Sequence, residues 1–186
     1  LSVAFAFKTG LFNIGASGQM LVGGLCATIV AHKVFLPRPL FLVVLIGSGL
    51  LGGAIWGVIP GILKARFNVH EVVATIMMNW IAYWSVYYFV PAYLKGPSLE
   101  TESASIAITQ SLRAPWLTKL FHGSYMNLGF FIAIVCVILV KFILDKTTLG
   151  FGLKAVGFNR HCAEYAGIRV NRNVVISMMI AGALAG

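Results

Sequence analysis

The chain has 186 residues, of which 59% are hydrophobic and only 10% are charged, and its mean hydropathy is +0.91. Soluble domains carry about 25% charged residues, so this composition excludes an ordinary soluble fold and indicates an integral membrane protein. The formal net charge is +9, but the basic residues stand singly at the edges of apolar runs, which excludes a nucleic-acid surface. We expect an all-α, multi-pass bundle of transmembrane helices that forms one domain over residues 1–186.

Four apolar runs approach the roughly 20 residues that a helix needs to cross the hydrocarbon layer. They cover residues 11–31, 40–63, 69–90 and 128–144, with partial runs at 1–7 and 174–186. The positive-inside rule places Lys8, Lys64, Arg66 and the segment 145–173 in the cytosol and the segment 91–127 outside the cell. Because both ends fall within apolar runs, we interpret the chain as part of a longer protein.

The run 11–31 opens with a polar, glycine-rich stretch that contains Asn13, Ser17 and Gln19. Irregular backbone at membrane depth is tolerated where it packs against protein or lines a cavity, so we expect an irregular start here. On a helix, Asn13 and Ser17 would share one face, whereas Gln19 would point elsewhere.

The run 40–63 carries a stripe of small residues in overlapping GxxxG units, a pattern that favours close packing against another helix. The stripe consists of Gly49, Gly53, Gly57 and Gly61. Pro60 predicts a kink near the cytoplasmic end of this helix.

The run 69–90 combines a capping signal with a polar stripe. Asn68 and Glu71 have the spacing of a capping box, and Thr75, Asn79 and Tyr83 follow on one helical face. A buried amide at mid-span needs a partner, so Asn79 contacts either a neighbouring helix or a solute.

The outer part of the same run is rich in aromatic residues, namely Trp80, Trp84, Tyr87 and Tyr88. We interpret them as an aromatic belt at the membrane interface rather than as a platform for base stacking.

The outer segment 91–127 contains three prolines and an amphipathic patch, which predicts one or two short helices along the membrane surface. The patch consists of Ile106, Ile108, Leu112, Trp116, Leu117, Leu120 and Phe121. An interfacial anchor is the favoured interpretation, with a gate or a docking surface for an external receptor as the alternative.

The segment 145–173 is basic and punctuated by glycine. Asn159 is a good N-cap for a short helix over residues 160–166, and Gly167 suits the left-handed position that ends a helix. The sequence therefore predicts that a compact helix is displayed to the cytosol.

Several kinds of functional group are absent from the sequence. No charged residue lies in the middle of a complete run, which disfavours a proton-driven carrier. No GxxxxGK[ST] phosphate loop, paired catalytic groups or Cys/His spacing suited to a metal occurs. We therefore expect no enzyme activity, no cofactor and no metal, and any energy for transport would come from another subunit.

Several stretches of the chain resemble a known family, the permease subunits of bacterial ABC importers for nucleosides and simple sugars, and most closely its nucleoside branch. The matching stretches are Phe12-Asn13-Ile14-Gly15, Gly18-Gln19-Met20, His70-Glu71-Val72-Val73, Thr75-Ile76-Met77-Met78-Asn79, Thr148-Leu149-Gly150, Leu153-Lys154-Ala155-Val156-Gly157, Asn159 and Tyr165-Ala166-Gly167-Ile168. The chain departs from the branch at Ser17, where Glu is typical, at Lys154 in place of Arg, and at Cys162 in place of Ala.

The resemblance implies a protein of about ten spans in the bacterial cell membrane. By this resemblance it would work with a second, homologous permease as a heterodimer, with two cytoplasmic ATPases that bind the ATP, and with an extracellular binding protein or lipoprotein. The short cytoplasmic helix would dock on the ATPase through Asn159, Arg160, Ala163, Glu164, Tyr165 and Gly167. Ala163 and Gly167 are small enough for close docking, whereas the charged residues either pair with the partner or are simply solvated.

The resemblance also implies a pathway for a neutral, hydrogen-bonding solute, for which uncharged side chains are suitable. The expected pathway residues are Asn13, Ser17, Gln19, Thr75, Asn79 and Tyr83. A nucleoside is the favoured solute, with a simple sugar of the ribose or galactose type as the alternative. A secondary carrier or channel is a further alternative, as is a scaffold or membrane-embedded enzyme.

Overall fold

The computed structural model describes residues 1–34, 36–96, 103–104 and 127–186. Regular structure in these ranges is helical, apart from an isolated bridge between Lys95 and Ser103, so the expected all-α architecture is confirmed. The helices are α1 (Ser2–Lys8), α2 (Ala16–Lys33), α3 (Arg38–Phe67), α4 (Glu71–Tyr93), α5 (Gly129–Lys146), α6 (Thr148–Phe158), α7 (Arg160–Tyr165) and α8 (Val170–Ala185).

Helix α3 lies at the centre of the bundle and packs most extensively against α8 and then against α2. The stripe of four glycines faces α8. A methyl group on Gly49 would lie 2.9 Å from the carbonyl oxygen of Gly186, and one on Gly61 would lie 3.1 Å from Cβ of Met178. The two backbones therefore approach as closely as a small-residue interface permits.

By length and composition, α3 is the one helix among those described that is long and apolar enough to cross a membrane. The sequence pattern predicts four such spans. Helices α2 and α4 contain polar residues such as Gln19 and Asn79, which hydrogen-bond within the bundle. Helix α5 carries Lys141, Asp145 and Lys146 toward its end.

The segment 145–173 contains two helices after the end of α5, although a single short one is expected from the sequence. Helix α6 precedes the predicted α7, and its Leu153 and Val156 are buried in the same hydrophobic core as Phe5 of α1 and Met178 of α8. Because glycine is a poor helix former, the sequence pattern does not predict α6. Gly157 brings α6 against the backbone that follows α1.

The start of α4 differs from the predicted capping box. Asn68 has a left-handed backbone (φ 50°) and ends α3, while His70 is the N-cap of α4 and makes no capping hydrogen bond through its side chain. Glu71 instead forms an ion pair with Lys64, with its Oε2 2.9 Å from Nζ. Asn tolerates the left-handed conformation better than most residues, so the preceding helix uses it as its C-cap.

At its other end, α4 continues through Pro91 to Tyr93, whereas the sequence pattern starts the outer segment at Pro91. The backbone N–H of Ala104 donates to the carbonyl of Leu94 at 2.9 Å, and the ring of His32 at the end of α2 contacts the carbonyl of Ala104 at 3.1 Å. The predicted amphipathic patch of the outer segment lies outside the described residues.

Candidate functional site

A buried polar cluster joins the irregular stretch before α2 to the first turn of that helix. Asn13 donates through Nδ2 to Oε1 of Gln19 at 2.9 Å, and its Oδ1 accepts from the backbone N–H of Gly15 at 3.1 Å and from Nε2 of Gln19 at 3.3 Å. Both side chains are buried. The expectation that Asn13 and Ser17 share one helical face is wrong. Asn13 precedes the helix, so helical periodicity does not apply to it.

The same cluster extends to α1 and α8 through hydroxyl groups that the sequence does not single out. Ser2 donates to the carbonyl of Ala181 at 2.6 Å and lies 3.3 Å from Nδ2 of Asn13. The hydroxyls of Thr9 and Ser177 are 2.7 Å apart. A hydroxyl within an apolar run, as at Ser177, is the sequence signal for such a contact, because a buried polar group needs a hydrogen-bond partner.

Asn79 connects the middle of α4 to the beginning of α2. Its Oδ1 accepts a hydrogen bond from the backbone N–H of Gly18 at 2.9 Å, and its Nδ2 donates to the carbonyl of Ile14 at 3.0 Å. The first N–H groups of a helix lack partners within it, so Asn79 caps α2 from a neighbouring helix. In this conformation its hydrogen-bonding groups are engaged within the chain.

The other predicted pathway residues divide into buried and exposed ones. Thr75 is buried, and its hydroxyl donates to the carbonyl of Glu71 at 2.8 Å. Ser17 and Tyr83 are exposed. The six predicted residues therefore do not line one cavity in this conformation, because half of them, Asn13, Gln19 and Thr75, are enclosed between helices.

The exposed face of α4 presents four aromatic rings in mutual contact, which we call the aromatic track. Ring centroids lie 6.2 Å apart for Trp80 and Tyr83, 5.6 Å for Tyr83 and Trp84, 6.5 Å for Tyr83 and Tyr87, and 5.8 Å for Trp84 and Tyr87. All four side chains are exposed.

Helix α7 begins and ends as predicted. The Oδ1 atom of Asn159 accepts from the backbone N–H groups of His161 at 3.0 Å and Cys162 at 3.1 Å. Gly167 follows the helix with φ +78°, and the N–H of Ile168 donates to the carbonyl of Ala163 at 3.0 Å. Asn159 also ends α6, so a single residue fixes the angle between the two helices.

Ala163 lies on the inner side of α7, which corrects the expectation that it docks in a partner's groove. Its exposure is 3%, and it belongs to the core that includes Leu153 of α6 and Val174 of α8. A helix of one and a half turns needs an apolar anchor to stay in place, and Ala163 supplies it. Tyr165, by contrast, is 94% exposed and Phe158, just before α7, is 90% exposed.

Beside α7 lies a groove of about 580 Å³, which we call the basic groove. Its cationic residues are Lys64, Arg66, Arg160 and Arg169, and Glu164 also lines it. Within the described part of the chain, the three arginines form no ion pair, whereas Lys64 pairs with Glu71. The groove therefore combines the ends of α3 and α7 and the start of α8 in one positively charged surface.

An ion pair closes the junction between α5 and α6. Nζ of Lys154 donates to Oδ1 of Asp145 at 2.6 Å, and this hydrogen bond, together with the positive charge, lowers the pKa of the Asp145 carboxyl below its usual value. The pair is exposed to solvent. It orients α6 more than it stabilises the fold, because exposed ion pairs contribute little free energy.

Comparison with known proteins gives a consistent result over the whole chain. Residues 1–186 match the family described as branched-chain amino acid transport system / permease component. The chain is 44% identical over 186 residues to the guanosine ABC transporter permease protein NupP of Bacillus subtilis, an alignment that covers 100% of this chain and 53% of the relative.

It is also 40% identical over 191 residues to the nucleoside ABC transporter permease protein NupB of Lactococcus lactis, covering 100% of this chain and 52% of the relative. A more distant relative is the glucose ABC transporter permease protein TsgB13 of Haloferax volcanii, at 29% identity, 100% of this chain and 50% of the relative. The chain thus spans about half the length of the curated relatives it matches. No solved structure matches it.

Proposed function

The chain belongs to the branched-chain amino acid transport system / permease component family, and from this premise we propose that the full-length protein is the membrane-spanning subunit of an ATP-driven importer in the bacterial cell membrane, with a nucleoside as its solute. The observation that carries the proposal is the 44% and 40% identity, over this whole chain, to permeases of guanosine and nucleoside transporters.

A simple sugar is the second candidate solute. It is favoured by the relative that is a glucose permease, although the identity there is 29%. Ser17, which stands at an exposed position where the nucleoside branch resembled by this chain typically has Glu, is a local difference that bears on the solute.

We propose that α7 is the docking point for a cytoplasmic ATPase subunit, which binds the ATP. Large exposed aromatic side chains are a typical feature of protein interfaces, and Tyr165 of α7 and Phe158 at the end of α6 have this character. The uncompensated arginines of the basic groove complement an acidic partner surface. The further partners are a second permease subunit, forming a heterodimer, and an extracellular binding protein or lipoprotein.

The packing around α7 supplies a route for motion. The buried Ala163 connects α7 to α6 and α8, and α8 packs tightly against the glycine face of α3. A displacement of α7 is therefore transmitted to the two helices at the centre of the bundle. Packed helices of this kind move between discrete arrangements, so ATP-driven movement of α7 shifts the bundle between outward- and inward-facing states.

In this proposal the polar cluster and Asn79 support the helices that form the wall of the solute pathway. Asn13, Gln19 and Thr75 hold the start of α2 and the inner part of α4 in place, while Ser17 and Tyr83 present their side chains to the open side. An uncharged pathway suits a neutral solute, which must bind weakly in order to leave.

Uptake of radiolabelled nucleosides by cells that express the full-length protein with its partner subunits tests the proposed solute. An excess of unlabelled guanosine, adenosine or uridine is expected to block uptake, whereas ribose, galactose and glucose are not. If a sugar blocked uptake and the nucleosides did not, the solute would be a simple sugar instead. Uptake that continues after deletion of the ATPase subunit would indicate a secondary carrier or channel.

A further inference from the structure

The basic groove lies where α3 ends and α8 begins. Lys64, Arg66 and Asn68 line it from the end of α3, and Arg169 and Val170 line it from the start of α8. Helix α3 is long and apolar enough to cross a membrane. Its 30 residues correspond to about 45 Å at 1.5 Å per residue, which is the thickness of a bilayer with its headgroup layers. The end of α3, and the groove with it, therefore lies at the level of the lipid headgroups.

Positive charge in the groove is not balanced by the residues around it. Within the described part of the chain its three arginines form no ion pair, whereas Lys64 is matched by Glu71. The lining also includes the carboxylate of Glu164, which the arginines outnumber. The backbone N–H groups of Val170 and Asn171, in the first turn of α8, have no hydrogen-bond partner among the described residues and add to the positive potential. A concave site of this charge suits an anionic group such as a phosphate.

A row of exposed aliphatic side chains, which we call the aliphatic row, runs along α3 toward the groove. It consists of Leu51, Ile55, Ile59 and Ile62. Their spacing places them on one face of the helix, and Arg66 continues the same spacing into the lining of the groove. Leu51 and Ile62 are about 17 Å apart along the helix axis, close to the roughly 15 Å of hydrocarbon in one leaflet. The aliphatic row therefore matches the acyl chains of a lipid whose headgroup is at Arg66.

The groove is separate from the aromatic side chains that we propose as contacts of the ATPase. Neither Tyr165 nor Phe158 lines it. The aliphatic row faces away from the glycines of α3 that pack against α8. A partner that meets α7 does not account for exposed aliphatic side chains that continue along a span, whereas a lipid accounts for the row and the charge together. Arg160, on α7 itself, remains available to an acidic partner surface.

We propose that the basic groove binds the phosphate group of an anionic phospholipid whose acyl chains lie along the aliphatic row of α3. Arg66 and Arg169 bind the phosphate oxygens, because a guanidinium presents a fork of N–H donors that matches them. Basic pockets at the ends of membrane helices bind lipid headgroups in this way. The bound lipid connects the end of α3 to the start of α8, so it stabilises the packing of the two central helices. The site requires neither solute nor ATP.

Titration of the full-length, detergent-purified protein with phosphatidylglycerol tests the site, with the bound lipid counted by native mass spectrometry. Arg66→Gln and Arg169→Gln are each expected to raise the lipid concentration at half-saturation about fivefold. Arg66→Lys keeps the charge and is expected to bind more tightly than Arg66→Gln. Arg172→Gln is the matched control, because it removes an exposed positive charge of α8 that does not line the groove. This variant is expected to bind lipid like the wild type.

Two further probes identify what the groove recognises. Phosphatidylcholine with the same acyl chains has a headgroup without net charge and is expected to bind more weakly than phosphatidylglycerol. Inorganic phosphate at the same concentration lacks the chains and is expected not to displace the lipid. Equal affinity for the two lipids, wild-type affinity of both Gln variants, or displacement by inorganic phosphate overturns the proposal.

Binding of the ATPase subunit to the same variants separates the lipid site from a partner surface. Arg66→Gln and Arg169→Gln are expected to weaken lipid binding in the absence of the ATPase. Loss of ATPase binding with unchanged lipid affinity would assign the groove to the partner and overturn the lipid site. None of these measurements uses a nucleoside, so the proposed import fails separately if the wild-type transporter accumulates a sugar and no nucleoside.

Discussion

Asn79 and Gly18 form a hydrogen bond between the middle of one helix and the first turn of another: the carboxamide oxygen lies 2.9 Å from the backbone nitrogen. Gly18 allows this contact because a methyl group at its Cβ would lie 2.8 Å from the same oxygen. A side chain of α4 thus performs the capping that α2 lacks from its own sequence, since Gly15 stands at its N-cap.

Substitution Asn79→Leu is expected to destabilise the protein by about 1–3 kcal/mol, because it leaves the N–H of Gly18 and the carbonyl of Ile14 without partners. Thermal unfolding of the detergent-purified, full-length protein measures the change. Ser17→Ala, at an exposed position in the same turn of α2, is the control and should unfold like the wild type. Unchanged stability of Asn79→Leu would contradict the capping role of Asn79.

The interface between α3 and α8 predicts a contrast between two glycines of one helix. Gly53→Ala is expected to cost about 1–3 kcal/mol through overpacking, because its methyl group would meet the backbone of Gly182 and Gly186. A methyl group on Gly47 would have nothing within 4 Å, so Gly47→Ala should be neutral or slightly stabilising. Denaturation in increasing SDS measures both, and equal midpoints would contradict the packing.

The buried position of Ala163 predicts that Ala163→Arg prevents folding of the segment 145–173 rather than blocking a partner. An arginine there would bury an unpaired charge among Leu153 and Val174, with a destabilisation of more than about 3 kcal/mol. Limited proteolysis of the full-length protein is expected to cut the segment 145–173 rapidly in this variant. A protease-resistant variant of normal abundance would place Ala163 on the surface instead.

The ion pair between Asp145 and Lys154 predicts a small, pH-dependent effect. Lys154 lowers the pKa of Asp145, so the stabilisation is present above the usual aspartate pKa and is lost as the pH falls through the lowered value. Asp145→Asn is therefore expected to unfold at nearly the wild-type temperature at neutral pH, with any difference vanishing in acid. A growing difference at low pH would contradict the assignment.

The sequence predicts best those features that depend on neighbouring residues. Asn159 and Gly167 determine the beginning and end of α7 through local backbone chemistry, and both act as their residue types predict. Asn68 is a counterexample, because two helices compete for it: its left-handed conformation ends α3, and Glu71 pairs backwards with Lys64 instead of capping α4.

Contacts that depend on irregular backbone or on distant segments are harder to predict. The Asn13–Gln19 pair depends on an irregular stretch before α2, where neither helical nor strand periodicity applies. The sequence does not predict helix α6, because its glycines, such as Gly157, indicate a loop when considered locally but serve close packing in the fold. Likewise, the sequence leaves open whether Asn79 contacts a neighbouring helix or a solute, and only the position of α2 in the fold shows the contact with a neighbouring helix.

The central claim is that ATP hydrolysed by a partner subunit drives a nucleoside through this protein by way of α7. Tyr165→Ala tests it most directly, since this side chain is 94% exposed and its loss removes contact area without disturbing the core. Tyr93→Ala, an exposed aromatic at the opposite end of the described structure, is the matched control.

The decisive measurement is nucleoside accumulation by proteoliposomes that hold the full transporter, with ATP enclosed and the binding protein outside. The wild type and Tyr93→Ala are expected to accumulate nucleoside only when ATP is present, and Tyr165→Ala is expected to accumulate it at least about fivefold more slowly with an unchanged unfolding temperature. Accumulation without ATP, or a wild-type rate for Tyr165→Ala, would contradict the account.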